Sequence, residues 1–266
     1  PVVAILVGIS LLRGPKVEHT VHIPDTGLNL DENETEFVPY DSTSPVAWFQ
    51  KNSVEAFDDA IIILDNIGNE IPAGVLRDAE RTRQLIADHG LGWTSPFAVG
   101  DPRTLAWDYG AAGDTGFMAI SGRHENQNPF RAYFVKTDDG MRLDWEATTA
   151  QCDIKVKDLV AAAPESPVML RAWVGKQPHF DSETGRGGLF SWYQILDADQ
   201  AEFVWAYAPT GSQLDQEIKA LMNYGLIVLD RKDEVRAIVR LVKPQVGFRE
   251  TEFEIVELIT EEWVMP

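Results

Sequence analysis

The chain reads as an α+β protein of two modest domains. Three observations carry that reading: helical periodicity from Ser53 to His89, a switch to period-two alternation after Trp93, and a second strand-rich block after residue 150 with a single helix inside it. A length of 266 residues exceeds a typical single domain, and 44% hydrophobic residues with 8 Trp supply enough apolar surface for real cores.

Residues Val2–Leu12 form an uncharged apolar run followed by Arg13-Gly14-Pro15-Lys16. It is shorter than the ~20 residues a bilayer span needs. Because the chain opens at Pro1 rather than Met, residues 1–16 read as the end of a truncated single-pass membrane anchor. The two bases on its C-terminal flank favour a cytoplasmic body under the positive-inside rule, which two charges on one flank do not fix, so the side of the membrane stays open. Residues 17–52 lack periodicity, carry Pro24, Gly27, Pro39 and Pro45, and read as an acidic linker or arm.

A first domain at residues 53–150 opens with Ser53 as N-cap of a helix whose buried stripe would be Val54, Phe57, Ile61 and Leu64. A second helix over Val75–His89 would bury Leu76, Ala79, Leu85 and Ile86 and end at Gly90. Strands follow at Gly116–His124, Pro129–Lys136 and Met141–Thr148, the last two joined through Thr137-Asp138-Asp139-Gly140, where Asp-Gly suits the positive φ of a tight hairpin.

The second domain, residues 151–266, has strand candidates at Pro167–Lys176, Leu189–Leu196 and Glu202–Ala208. A helix capped by Ser212 and ending at Gly225 comes next, then strands at Val235–Val242 and Glu252–Leu258. Three strands, a helix and two strands is the element order of a small OB-like β-barrel.

Arg77–Ile86, Ala132–Thr148 and Glu257–Pro266 together resemble uncharacterised, membrane-anchored bacterial proteins of planctomycete type. That resemblance implies a short anchor followed by two small domains, and it implies no activity. The helix-plus-meander unit is also distantly similar to the NTF2-like cone, a likeness of fold that does not license function.

Charge narrows the function classes. The net charge is −19, and residues 17–72 hold 12 acids against one base. Such a field repels phosphate backbones, so no nucleic-acid partner is expected. The single cysteine, Cys152, excludes an internal disulfide and reads as a small buried filler. There is no HExxH, no paired CxxC, no GxSxG, no Walker A loop and no GxGxxG, so neither metal nor cofactor is expected. His19 and His22 fall in the arm, and the glycine-rich loop Gly185–Gly188 reads as a hairpin tip.

Two constellations remain. In strict alternation Arg131, Tyr133, Arg142, Asp144 and Glu146 share the meander face opposite Phe134, Leu143 and Trp145. With His124 closing the preceding strand, Asp144, Tyr133 and His124 are the candidate acid–base groups, and Arg131 and Arg142 candidate binding groups. The reading that a half-buried antiparallel sheet favours is a cross-strand ladder of Arg–carboxylate pairs on a wetted face, with acid–base work as the alternative.

The other constellation is aromatic. Phe203, Trp205 and Tyr207 line one strand face beside Trp192 and Tyr193, and barrel core outweighs a binding role for them. The reading as a whole is a membrane-tethered binding or assembly protein with a protein or envelope partner, its binding residues drawn from Trp192, Trp205, Tyr207, Arg131 and Arg142. The alternative is an NTF2-like enzyme acting on a small molecule in the meander cavity. The enzyme requires a closed pocket of about 300 Å³ at Asp144. The binding protein requires an exposed apolar patch near Trp192, Trp205 or Trp263.

Overall fold

The computed structural model describes residues 43–68, 71–93, 99–100, 104–177, 179, 188–224, 231–244 and 248–266. The apolar run at 2–12, the acidic arm to residue 42, His19, His22, Gly185–Gly187 and Gly225 lie outside these residues. The chain divides into two compact units between Thr149 and Ala150. The fold is α+β, with a four-stranded antiparallel sheet and a mixed five-stranded barrel. No helix among the described residues is long and apolar enough to cross a membrane.

The first unit packs helices on one face of a meander. Helix α1 (Ala47–Lys51) leads directly into α2 (Ser53–Asn66), so Asn52 rather than Ser53 holds the cap position. The Asn52 side-chain amide turns back to donate to the Trp48 carbonyl at 2.8 Å. The buried stripe of α2 is Ala56, Ala60, Ile63 and Leu64, while Val54 is 69% exposed. The stripe is thus rotated from the expected one, because two alanines let the helix approach the sheet closely.

The helix expected over Val75–His89 is divided. A 3-10 turn (Ala73–Val75) is followed by a bridge from Leu76 to Leu143, and α3 spans only Ala79–His89. Asp78 interrupts them at a positive φ of 47°. Gly90 ends α3 as expected, its N–H donating to the Ile86 carbonyl at φ 83°.

Four strands, β1 (Ala106–Ala112), β2 (Thr115–Arg123), β3 (Pro129–Thr137) and β4 (Gly140–Asp144), follow in spatial order β1-β2-β3-β4. Trp107, Tyr109, Met118, Ile120, Ala132, Phe134, Met141 and Leu143 face the helices and form one core with them. The hairpin between β3 and β4 places its positive φ on Gly140 alone, and Thr137 Oγ1 donates to the Gly140 carbonyl at 3.0 Å. At Gly116 a Cβ would lie 2.0 Å from the Pro45 carbonyl oxygen, so glycine admits the chain leading into α1.

The expected strand Met141–Thr148 stops at Asp144, which caps a single helical turn, α4 (Trp145–Thr148). Glu146 therefore leaves the strand alternation.

The second unit is a closed barrel of β5 (Val168–Gly175), β6 (Phe190–Leu196), β7 (Phe203–Pro209), β8 (Glu234–Val242) and β9 (Glu252–Glu261). The spatial order is β5-β6-β7-β9-β8, closed by the β5–β8 pair. Only β7 and β9 run parallel. The short helix α5 (Leu159–Ala162) precedes β5, and α6 (Gln213–Leu221) connects β7 to β8. Ser212 caps α6, its Oγ accepting from the Asp215 N–H at 3.2 Å, and Ile218 and Met222 enter the barrel core. Inward side chains include Leu170, Ala172, Val174, Tyr193, Ile195, Ala206, Val239 and Phe253.

Cys152 and Arg171 hold the chain ends of this unit. The Arg171 N–H donates to Cys152 Sγ at 3.2 Å, and burial pushes the thiol above its ordinary value, consistent with a packed rather than nucleophilic sulfur.

Candidate functional site

The meander's second face is occupied by its own pairings. Asp108 on β1, Ser121 on β2 and Arg131 and Tyr133 on β3 lie side by side across the ladder. The Arg131 guanidinium donates to both Asp108 oxygens at 2.8 and 3.0 Å, to Ser121 Oγ at 2.9 Å and to the Tyr133 hydroxyl at 3.1 Å. A bidentate Arg–carboxylate pair of this kind fixes both planes. The same face carries Phe117 and Ala119, which with Tyr133 are fully buried, so it is not a wetted array. Arg142 is half-buried and donates to the Met141 carbonyl at 2.9 Å.

Asp144 stands directly opposite Tyr133 in the register, yet its carboxylate is engaged in holding the backbone. Oδ1 accepts from the Ala147 N–H at 2.9 Å as the cap of α4, and Oδ2 accepts from Arg77 at 2.8 Å. Glu146, two residues along, takes a bidentate pair from Arg81 at 2.6 and 3.1 Å.

His124 lies away from Asp144 and Tyr133. Its ring packs on Phe130, 4.9 Å between centroids, and Phe130 belongs to the helix-side core, whereas Tyr133 points to the other face. The three candidate acid–base groups thus do not converge; the alternation placed two of them, and the strand end turned the third. Replacing Asp144 with alanine is expected to lower the unfolding free energy of this unit by about 2–4 kcal/mol, since it removes the cap of α4 and the 2.8 Å ion pair with Arg77. Urea denaturation followed by intrinsic fluorescence measures the loss.

The aromatic row of the barrel lies on its outside. Tyr193 points into the core, while Phe190 and Trp192 of β6 share the outer face with Phe203, Trp205 and Tyr207 of β7. Tyr193 is thus barrel core as expected; Trp192 and Tyr207 are also buried but on the outer side of the wall, while Trp205 is half-buried and Phe203 exposed, because Val204, Ala206 and Ala208 are the inward residues of β7.

His179, from the β5–β6 connection, rests on both indoles, with centroids 4.4 Å from Trp192 and 4.4 Å from Trp205. Its Nε2 lies 2.9 Å from Glu252 Oε1, and that carboxylate, on the neighbouring β9, is buried. Glu252 Oε2 accepts from the Arg249 N–H at 2.8 Å, which fixes the carboxylate plane. Phe248 stacks on Tyr207 at 4.5 Å and 9°, and Phe190 closes on Tyr207 at 4.6 Å. At the far end of the row Phe203 is 51% exposed and meets Trp205 edge-on at 6.0 Å.

Of the three tryptophans expected to mark an apolar patch, Trp192 and Trp263 are buried and Trp205 is half-buried. The exposed part of the patch therefore centres on Phe203 and Trp205. Trp263 is instead internal to the barrel wall, donating its indole N–H to the Ala172 carbonyl at 3.2 Å.

Sequence alternation located Trp192, Trp205 and Tyr207. It had no means of locating His179 or Phe248, which come from connections, or Glu252, whose burial depends on the parallel pairing of β7 with β9.

The basic side chains on and beside β8 are dispersed by their partners. Arg236 lies over Trp173 at 4.0 Å and reaches Glu262 at 3.9 Å, Arg240 pairs with Glu257 at 3.2 Å, and Lys232 pairs with Glu261 at 3.1 Å. Lys243 donates to the carbonyls of Arg249, Glu250 and Glu252. No group of three His, Cys, Asp or Glu residues gathers as a metal site among the described residues. Comparison with protein-family models, curated proteins and solved structures finds no match to this chain.

Proposed function

We propose that this protein is a binding module whose recognition surface is the outer aromatic face of β6 and β7, and that its partner is a protein offering basic side chains. One observation carries the reading: the Trp192–Trp205 pair with the buried Glu252 already receives a basic heterocycle, His179, by ring contact and carboxylate pairing together. Indole faces attract cations, with about 0.5–2 kcal/mol per contact depending on desolvation. A carboxylate fixed among them adds direction and charge. The exposed flank at Phe203 and Trp205 extends the same chemistry to solvent.

Charge also favours this partner. A net charge of −19 attracts basic surfaces and speeds their encounter, while it disfavours nucleic acid. The strand order β5-β6-β7-β9-β8, the parallel β7–β9 pair and the helix between β7 and β8 support an OB-like assignment for the barrel. The helix-on-meander packing supports an NTF2-like likeness for the first unit. A membrane tether through the apolar run at 2–12 would place this surface beside an envelope partner; it is tested by asking whether the full-length protein sediments with membranes.

The binding claim is tested by calorimetric titration with an Arg/Lys-rich peptide, an acidic peptide of equal length and a neutral oligosaccharide. Only the basic peptide is expected to bind, and Trp205→Ala is expected to weaken it about tenfold or more. Equal binding of the acidic peptide, or an unchanged affinity in the variant, would overturn the assignment.

A further inference from the structure

A second charged cluster of the barrel is used by none of the contacts above. Lys176 directly follows β5, Lys219 lies on α6, Tyr224 follows that helix, and Arg231 precedes β8. The Lys176 ammonium sits 5.1 Å from the Tyr193 ring centroid and 5.2 Å from that of Tyr224. The Arg231 guanidinium carbon is 4.6 Å from the same Tyr224 centroid. Two cations thus share one half-exposed tyrosine ring, in a chain whose net charge is −19.

The nearby acid spends its hydrogen bonds on other donors. Asp215 is fully buried, and its carboxylate accepts from Tyr193 Oη at 2.5 Å, Lys219 Nζ at 2.6 Å and the Gly211 N–H at 2.7 Å. Lys219 neutralises that charge. Among the described residues Lys176 and Arg231 make no hydrogen bond or ion pair, and their contacts are with aromatic faces. A protein this acidic has many carboxylates to spare for pairing cations, so two cations left on a ring need another explanation.

We infer that Lys176, Arg231 and the outer side of Lys219 form an oxyanion-binding site at Tyr224, suited to a phosphate group, free or esterified. Two cations on one ring, with a third ammonium held at Asp215, match the several acceptor oxygens and the double charge of phosphate, and an Arg supplies two parallel N–H groups. Burial, followed by the charge of Lys219 and with Arg231 contributing, outweighs the opposing charge of Asp215 and holds the Lys176 ammonium below its ordinary value. Desolvation by the two tyrosines strengthens an incoming anion's attraction relative to open surface. The site is separate from the aromatic face of β6 and β7, so either assignment can fail without the other.

The test is phosphorus NMR line broadening and calorimetry at near-physiological salt, with inorganic phosphate and with phenyl phosphate as probes. Saturable one-to-one binding is expected for at least one probe. Tighter binding of phenyl phosphate identifies an esterified group as the ligand, and tighter binding of inorganic phosphate a free ion. Lys176→Gln and Arg231→Gln are each expected to weaken it about fivefold or more, while Lys155→Gln, on an exposed position elsewhere, leaves it unchanged. Circular dichroism of each variant checks that the barrel is intact. No binding of either probe at about 10 mM overturns the inference, as does equal weakening by Lys155→Gln, which would mean diffuse electrostatics.

Discussion

Replacing Asp215 with alanine is expected to cost the barrel about 3–5 kcal/mol, the largest single effect in this protein. The carboxylate has no exposed surface, and three donors from three places converge on it: Tyr193 on β6, Gly211 ahead of α6 and Lys219 one turn along that helix. Alanine takes the 2.5 Å acceptor from the buried Tyr193 hydroxyl, turns the exposed Gly211 N–H over to water and leaves the half-buried Lys219 ammonium without this carboxylate. Lys219→Met is expected to cost far less, about 1–2 kcal/mol, because Lys219 keeps access to water and Asp215 retains its other donors. Chemical denaturation of both variants measures the contrast.

Asp215 also sets an acid limb of stability. Burial pushes its carboxyl up, but hydrogen bonds from Lys219, Tyr193 and Gly211 outweigh burial and bring it down to about 2. In the unfolded chain an aspartate titrates near 4. A lowered folded value means that the contribution is fully present above about pH 4 and is lost as pH falls towards 2, to the extent of about 2–3 kcal/mol. The Tyr193 hydroxyl, raised by burial and by donation to Asp215, stays protonated throughout that range. Unfolding free energies at pH 5 and pH 2.5 should therefore differ less in Asp215→Asn than in the parent.

Arg171→Met is the second large effect, with an expected loss of about 3 kcal/mol. The side chain is buried, donating from Nε to the Trp263 carbonyl at 2.8 Å and from Nη1 to the Gln151 carbonyl at 2.5 Å. It thereby ties the first and last segments of the barrel unit to β5. Methionine fills the volume but removes the guanidinium's two hydrogen bonds, to the carbonyls of the buried Trp263 and the half-buried Gln151. Lysine keeps the charge and lacks the fork, so Arg171→Lys should recover only part of the loss. A Met variant as stable as the parent would show that the apolar isostere compensates, and would remove Arg171 from this role.

The barrel was largely legible because its strands obey period two and its helix carries a Ser cap: Phe190–Leu196, Phe203–Pro209 and Glu234–Val242 fall within a residue or two of expectation. Strand β1 was not legible. Its second half, Gly110-Ala111-Ala112, has no branched or aromatic residue to signal a strand, and its place is secured by seven register pairs with β2.

The turn from β4 into α4 escaped for a different reason. Leu143, Asp144 and Trp145 alternate correctly as a strand, and only the Asp144 side chain meeting the Ala147 N–H reveals a cap. The same event removed the acid–base reading, since alternation can place a carboxylate on a face without saying whether its lone pairs are already taken.

In the barrel, alternation separated Trp192 from Tyr193 but did not say which side was inward. Closure of the sheet decides that, through the small Ala206 and Ala208 that admit Tyr193 and Phe253 to the interior.

The most direct test of the central claim follows the indole N–H resonances of Trp192 and Trp205 by NMR while an Arg/Lys-rich peptide is added. Saturable shifts at both indoles, with Trp145 and Trp263 unmoved, are the expected result. If the peptide leaves Trp192 and Trp205 unshifted, or moves all four equally, the outer face of β6 and β7 is not the recognition surface.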